Sequence, residues 1–216
     1  MRIIAGTRRG MKLEPPRGKE VTRPISDRVK ENLFNILQAE IPGSIVLDLF
    51  AGTGSLGLEA LSRGARWATF VEQNAEAVSI LHHNIEHVRF VESSQVVRGD
   101  ALRLRPSVAE TGRRDPKGPL VFDLVFADPP YRMMDNDADR QRIGESLGQL
   151  SGFGALSPAA VIVVRHDSRT PVEYRWPGFR QTDSRRYGSM TLDFLRPAEP
   201  SNDDLSPDAA PPTGDS

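Results

Sequence analysis

The 216-residue chain contains no cysteine. That excludes disulfides, thiolate nucleophiles and cysteine-ligated zinc, and it fits a cytoplasmic protein. No apolar run is long enough to cross a bilayer, and no secretory signal is read at the N-terminus. No internal repeat is visible. Net charge is nearly absent too, at -1, but that value conceals an asymmetry. Residues 1–30 carry nine Lys/Arg against three Asp/Glu, whereas residues 197–216 carry five acids and no base. A basic arm suits a polyanionic partner, and equally a solvated terminal segment.

What is present is organised around Ile45 to Glu59, IVLDLFAGTGSLGLE. A short β-branched and apolar run ends in Asp48. Gly52, Gly54 and Gly57 follow, and a helical pattern then begins. Strand, glycine turn and helix N-terminus form the first unit of a doubly wound α/β sheet. Four more strands are expected at Ala68 to Glu72, Gln95 to Asp100, Val121 to Asp128 and Ala159 to His166. Phe179 to Tyr187 and Met190 to Arg196 flank Gly188-Ser189 and read as an antiparallel hairpin closing the sheet edge. The expected fold is a Rossmann-like, doubly wound, mostly parallel seven-stranded sheet with an antiparallel C-terminal hairpin.

Helices are expected over residues 27–40, up to Arg63, over Ala75 to Val88 and over 137–151. The first has Ser26 as N-cap and Asp27 in its first turn, with apolar residues at Val29, Leu33, Ile36 and Leu37. Gly64 is the C′ residue of the second. Arg2 to Gly6 and Met11 to Glu14 read as a hairpin with Arg8 and Arg9 at its tip. Three regions follow: a basic hairpin extension (1–25), the main domain (26–196), and a Pro-rich acidic tail (197–216) expected to be disordered. Residues 103–119 read as a polar surface loop.

Gly52-x-Gly54-x-x-Gly57 matches a dinucleotide fingerprint, and Glu72 lies twenty residues after Gly52. Spacing alone therefore fits NAD. Asp48 argues otherwise, because a pyrophosphate at the helix start would meet a like charge. The same acid attracts a cationic ligand such as S-adenosylmethionine, which has no phosphate. Asp48, Glu72 and Asp100 end three successive strands, and parallel strand ends line one crevice. Three acids suit an amino group, a ribose diol and an adenine amine.

Asp128-Pro129-Pro130-Tyr131 follows the fourth strand. Two prolines stiffen the turn and leave carbonyls free to accept hydrogen bonds. An Asp128 oxygen and the Pro129 carbonyl together suit one planar –NH2 group, and Tyr131 is placed to stack on a base.

LDLFAGTG together with VFADPPY resembles the Rossmann-like methyltransferases that modify exocyclic amines of nucleobases. MRIIAGTRRGMKL, TRPISDRVKENLFNIL, LGLEALSRGA and RRYGSMTLDFL resemble the bacterial 16S ribosomal RNA guanine-N2 methyltransferases of the RsmD type, over about residues 1–196. The resemblance implies that Asp48, Gly52, Gly54, Glu72, Asp100 and Ala101 bind S-adenosyl-L-methionine. It implies that Asp128 and Pro129 orient the target amine and that Tyr131 stacks on a flipped-out guanine. Arg8, Arg9, Arg23 and Arg28 would meet RNA. The implied partner is ribosomal RNA or the small subunit, with the protein a cytoplasmic monomer needing neither metal nor membrane. The methyltransferase motifs leave adenine N6, cytosine N4 and guanine N2 open; guanine rests on the flanks. A NAD-dependent oxidoreductase and a non-catalytic RNA-binding assembly factor are the rival readings. His83 and His87 stand at i, i+4 with no third ligand in view for zinc, so with His82 they read as surface histidines. Arg185-Arg186-Tyr187 suits contact with RNA and equally a solvated hairpin face, and Trp67 and Trp176 read as packing residues.

Overall fold

A computed structural model describes residues 1–16, 25–103 and 120–198. Its sheet has seven strands in the order β3-β2-β1-β4-β5-β7-β6. These are β1 (Ile45–Leu49), β2 (Trp67–Glu72), β3 (Ser94–Arg98), β4 (Phe122–Ala127), β5 (Leu156–Asp167), β6 (Phe179–Tyr187) and β7 (Met190–Pro197). β1 pairs in parallel with β2 and β4, β2 with β3, and β4 with β5. β7 runs antiparallel to both β5 and β6. Every residue of β1 is buried, as expected of a central parallel strand covered on both faces. Strand order reverses between β1 and β4, so their carboxyl ends form a topological switch point, where ligands of such sheets bind.

The helices are α1 (Asp27–Ile36), α2 (Ser55–Ser62), α3 (Ala75–His87), α4 (Tyr131–Asp135) and α5 (Asp137–Gly152). On one face, Leu33 and Phe34 of α1 and Leu81 and Ile85 of α3 pack on Val46, Phe70, Phe126 and Val163. On the other, Ile143, Leu147 and Leu150 of α5 pack on Leu47, Val125 and Ile162. Trp176 closes that side against Gly144, where an added Cβ would stand 2.3 Å from the indole. Among the described residues no helix is long and apolar enough to cross a membrane.

Several expectations are corrected. α1 ends at Ile36 rather than at 40, because residues 37–40 turn to bring Leu37 and Ile41 into the core. α4 was not anticipated; it starts at the tyrosine of the DPPY turn, with Met133 N–H closing on the Pro130 carbonyl. The N-terminal hairpin forms but is short: Arg2 bridges Lys12, and Ile3 N–H to the Met11 carbonyl, Gly10 N–H to the Ile3 carbonyl and Leu13 N–H to the Met1 carbonyl close it. On its outer side, Ile4 and Ala5 N–H donate to the Glu59 carboxylate at 2.7 and 3.0 Å, which docks the hairpin on α2. Gly6 lies so close to the end of α2 that a Cβ would reach 1.8 Å from the Ser62 carbonyl. Thr7 N–H donates to that carbonyl. Ile3 and Leu13 are buried in the same core as α1 and α3. The expected loop at 103–119 falls outside the described residues from 104 onward, and the expected disordered tail from 199 onward.

Candidate active site

The first wall of the switch-point crevice is the turn after β1. α2 starts from Gly54, whose left-handed backbone (φ 86°) carries no capping side chain. Asp48 takes that role from below: its Oδ2 accepts the Gly57 N–H at 2.8 Å. A carboxylate among unpaired amides at a helix start is favourable on both hydrogen-bond and dipole grounds. The approach is close enough to require glycine at 57, where a Cβ would fall 2.3 Å from the Phe70 ring. Phe50 holds a positive φ of 58° immediately before the turn, a strained conformation for an aromatic residue.

Glu72, at the end of β2, fastens the turn from the side. Its two oxygens accept Gly52 N–H at 2.8 Å and Asn74 N–H at 2.7 Å. A carboxylate offers about four lone-pair sites, so acceptor capacity remains for a ligand. Asp100 lies two residues past β3 and folds locally, accepting from Leu102 N–H at 2.9 Å. Ala101 is buried, with its carbonyl taking the Ser146 hydroxyl at 2.8 Å.

The crevice has two lobes. One is lined by Glu72, Gly99, Ala101 and Pro130. The other is lined by Met1, Asp48, Ser55 and Arg165. Phe50, Gly52 and Asp128 border both. Around Gly52 and Gly99 a Cβ would meet nothing within 4 Å, so both leave space on the crevice side.

Asp128 follows β4 and is anchored through its N–H to the Leu49 carbonyl at 3.4 Å. Pro129 is buried and Pro130 lines the crevice. The Asp128 Oδ1 accepts a hydrogen bond from Arg165 Nε in β5. The same guanidinium lies over the Tyr131 ring, 5.6 Å from its centroid. Burial pushes the Asp128 carboxyl above its ordinary value, and the Arg165 cation opposes that rise. Asp48 is pushed well above the carboxylate range, first by burial and then by Asp128 and Glu72, while the Gly57 N–H opposes. The charges of Asp128 and Glu72 both reach Asp48, so ionising it is favoured by a cationic ligand.

The arginines expected to face RNA separate. Arg8 Nε donates to the Val88 carbonyl at 2.8 Å, and its guanidinium lies over Phe90, so it docks the N-terminal turn on α3. Arg9 and Arg28 are exposed, and Arg23 lies outside the described residues. His83 and His87 stack along α3 with centroids 6.3 Å apart. Two features escaped the sequence reading. Arg165 ends an apolar run, VIVVR, and only strand order brings it beside Asp128. Lys30, counted in the basic arm, is fully buried against Glu59, with Nζ to Oε2 at 3.5 Å.

A sheet of this order, with a glycine turn after β1 and an acid-Pro-Pro-aromatic turn after β4, belongs to the Rossmann-like methyltransferases. An RNA methyltransferase of Salinibacter ruber, solved with S-adenosyl-L-homocysteine, shares this fold. Its TM-score is 0.57 at 15% identity, over 82% of this chain and 95% of that one. A hypothetical protein of Thermus thermophilus superposes with a TM-score of 0.66 at 29% identity, over 90% and 98% of the two chains. Residues 1–196 match the family described as Conserved hypothetical protein 95. The ribosomal RNA small subunit methyltransferase D of Haemophilus influenzae is 37% identical over 173 residues, covering 80% of this chain and 81% of that protein. Its Escherichia coli K12 counterpart is 35% identical over 167 residues, covering 77% and 75%. The chain belongs to this small-subunit ribosomal RNA methyltransferase family, and S-adenosylmethionine is its cofactor.

Proposed function

We propose that the chain methylates the exocyclic N2 amine of one guanine in 16S ribosomal RNA. The observation that carries this reading is Asp128: a largely buried, arginine-held carboxylate beside a stiff Pro-Pro turn, bordering both lobes of the crevice. The name of the curated relatives supports small-subunit RNA as the substrate. The choice of guanine rests on the flanking segments quoted above.

S-adenosylmethionine supplies a methyl group on a sulfonium, itself a good leaving group. The residues fit it: Glu72 offers acceptors for a ribose diol, Asp48 a counter-charge for the ammonium, and Gly52 a close backbone approach, with Gly54 setting the left-handed turn beside it. Asp100 and Ala101 frame the adenine end. Guanine N2 is a poor nucleophile because its lone pair is delocalised into the ring. Hydrogen bonds from its two N–H groups to Asp128 and the Pro129 carbonyl favour a pyramidal nitrogen, and positioning then does most of the catalysis. Asp128 or water takes the proton after transfer. Tyr131 stacks on the extruded base, offsetting an unstacking cost of a few kcal/mol. Arg9 and Arg28, with Arg8 and Arg23, add phosphate attraction at the basic end.

Mass mapping of methylated nucleotides in 16S ribosomal RNA from cells lacking this protein tests the reading. One N2-methylguanine should disappear and return with the wild-type gene. An unchanged methylation map overturns the proposal. Loss of an N6-methyladenine or N4-methylcytosine instead would keep the methyltransferase and change its base.

A further inference from the structure

We propose that Arg165 is a positioning residue for methyl transfer: it clamps one oxygen of Asp128 and underlies Tyr131, joining amine acceptor and base platform into one rigid unit. This rests on the methyl-transfer reading above. The geometry has three parts. Ala127 pairs with Val164, so Asp128 and Arg165 stand next to each other one position further along neighbouring strands. Val161 and Val163 face the α1 side of the core, and two-residue alternation turns Arg165 to that side as well. The guanidinium is 3% exposed, lines the crevice, and reaches both the carboxylate and the ring.

A buried cation is costly without a partner, and here the partner is the group that meets the substrate. Bonding through Nε engages one Asp128 oxygen and fixes the carboxylate plane, which aims the other oxygen. Burial alone would favour the protonated acid, a poorer acceptor for an amine; the cation counters this. Lysine could restore the charge but not the planar fork that touches acid and ring together.

The test compares Arg165→Met and Arg165→Lys with wild type in two ways. Carboxyl 13C NMR follows the Asp128 titration in the free protein, and single-turnover transfer to small-subunit RNA is followed against pH. In Arg165→Met, Asp128 should titrate at higher pH, and the acid limb of the rate profile should move up with it. The plateau rate should fall roughly 10²-fold, while S-adenosylhomocysteine affinity stays unchanged. Arg165→Lys should titrate closer to wild type yet keep a reduced plateau. A wild-type plateau or an unmoved Asp128 titration in Arg165→Met overturns the proposal. Should that variant not fold, the same two results in Arg165→Lys overturn it. Wild-type protein that transfers no methyl group to any ribosomal RNA refutes the functional reading instead, and the Asp128 titration still reports the clamp.

Discussion

Among the described residues, the Lys30–Glu59 and Arg165–Asp128 ion pairs differ in what surrounds them. In the first, Lys30 and Glu59 are both 0% exposed. Glu59 also accepts from Ile4 N–H, Ala5 N–H and Arg63 Nε, and Lys30 donates to the Arg2 carbonyl at 2.7 Å and the Ser55 hydroxyl at 3.1 Å. Burial draws the Lys30 ammonium below its usual value, and Glu59 opposes this. The result is a staple that ties the N-terminus and α1 to the helix leaving the glycine turn. In the second, Asp128 is 21% exposed and borders an open crevice. The chemistry of the pairs is alike. A pair closed on all sides by protein donors can only hold structure, whereas one with a face toward a cavity has acceptor capacity left for a substrate.

The comparison breaks most sharply at Glu59. Glu59→Ala leaves a buried ammonium and several amides without their acceptor, and should destabilise the fold by about 3–5 kcal/mol in urea unfolding. A loss below about 1 kcal/mol, the size of an exposed pair, would show that the staple is dispensable.

Asp128→Ala should slow the chemical step by roughly 10²–10³-fold, as loss of a transition-state partner does, and should also cost stability because Arg165 loses its carboxylate. Asp128→Asn keeps shape and an acceptor oxygen but not the charge, so it should retain more activity than the alanine variant. Single-turnover rates at saturating RNA and cofactor decide. A wild-type rate in Asp128→Ala would remove the residue from the mechanism.

Glu72 stands between the two cases, holding Gly52 and Asn74 while retaining lone pairs for a ligand. Glu72→Ala should weaken S-adenosylmethionine binding by about 1.5–3 kcal/mol. Unchanged affinity by calorimetry would make it a purely structural carboxylate.

Asp48 gives a pH test. Its carboxyl is raised well above 3.8 in the folded protein. The native state therefore holds a proton that the unfolded chain releases first. That stabilisation is complete below the unfolded value and is lost as pH rises through the folded one. Asp48→Asn should accordingly stabilise the free protein by about 1 kcal/mol at neutral pH. A cationic ligand favours ionised Asp48, so binding should release protons and weaken toward acid. Calorimetry in buffers of different ionisation enthalpy measures both, and proton-neutral binding would contradict the assignment.

The smallest effect is expected at the surface. Replacing Arg9 and Arg28 with alanine should weaken RNA binding modestly and flatten its salt dependence, leaving cofactor affinity alone. An unchanged salt slope would place the RNA elsewhere.

The sheet was largely legible in the chain. Apolar runs bounded by Gly, Pro and acids located β1 to β5 to within a few residues, because buried parallel strands leave a local pattern, and the turn at Gly188-Ser189 located the antiparallel β6 and β7. Ser26 and Gly64 marked helix ends for equally local reasons. Glycine turn and DPPY turn fell on either side of the switch point because each directly follows its strand. Partnership between distant residues was not legible. Lys30 counted as one more charge on a basic arm, since composition does not distinguish a solvated cation from one enclosed by Glu59. The N-terminal hairpin was legible too, but not that its outward Ile4 amide would bond to a carboxylate 55 residues away. Arg165 became part of the site only through the register of β5 on β4, and Asp48 became a helix cap only because α2 folds back over β1. Periodicity and turn chemistry act over a few residues and are written in the sequence itself. Neutralising a buried charge requires a partner that only the assembled sheet brings within reach.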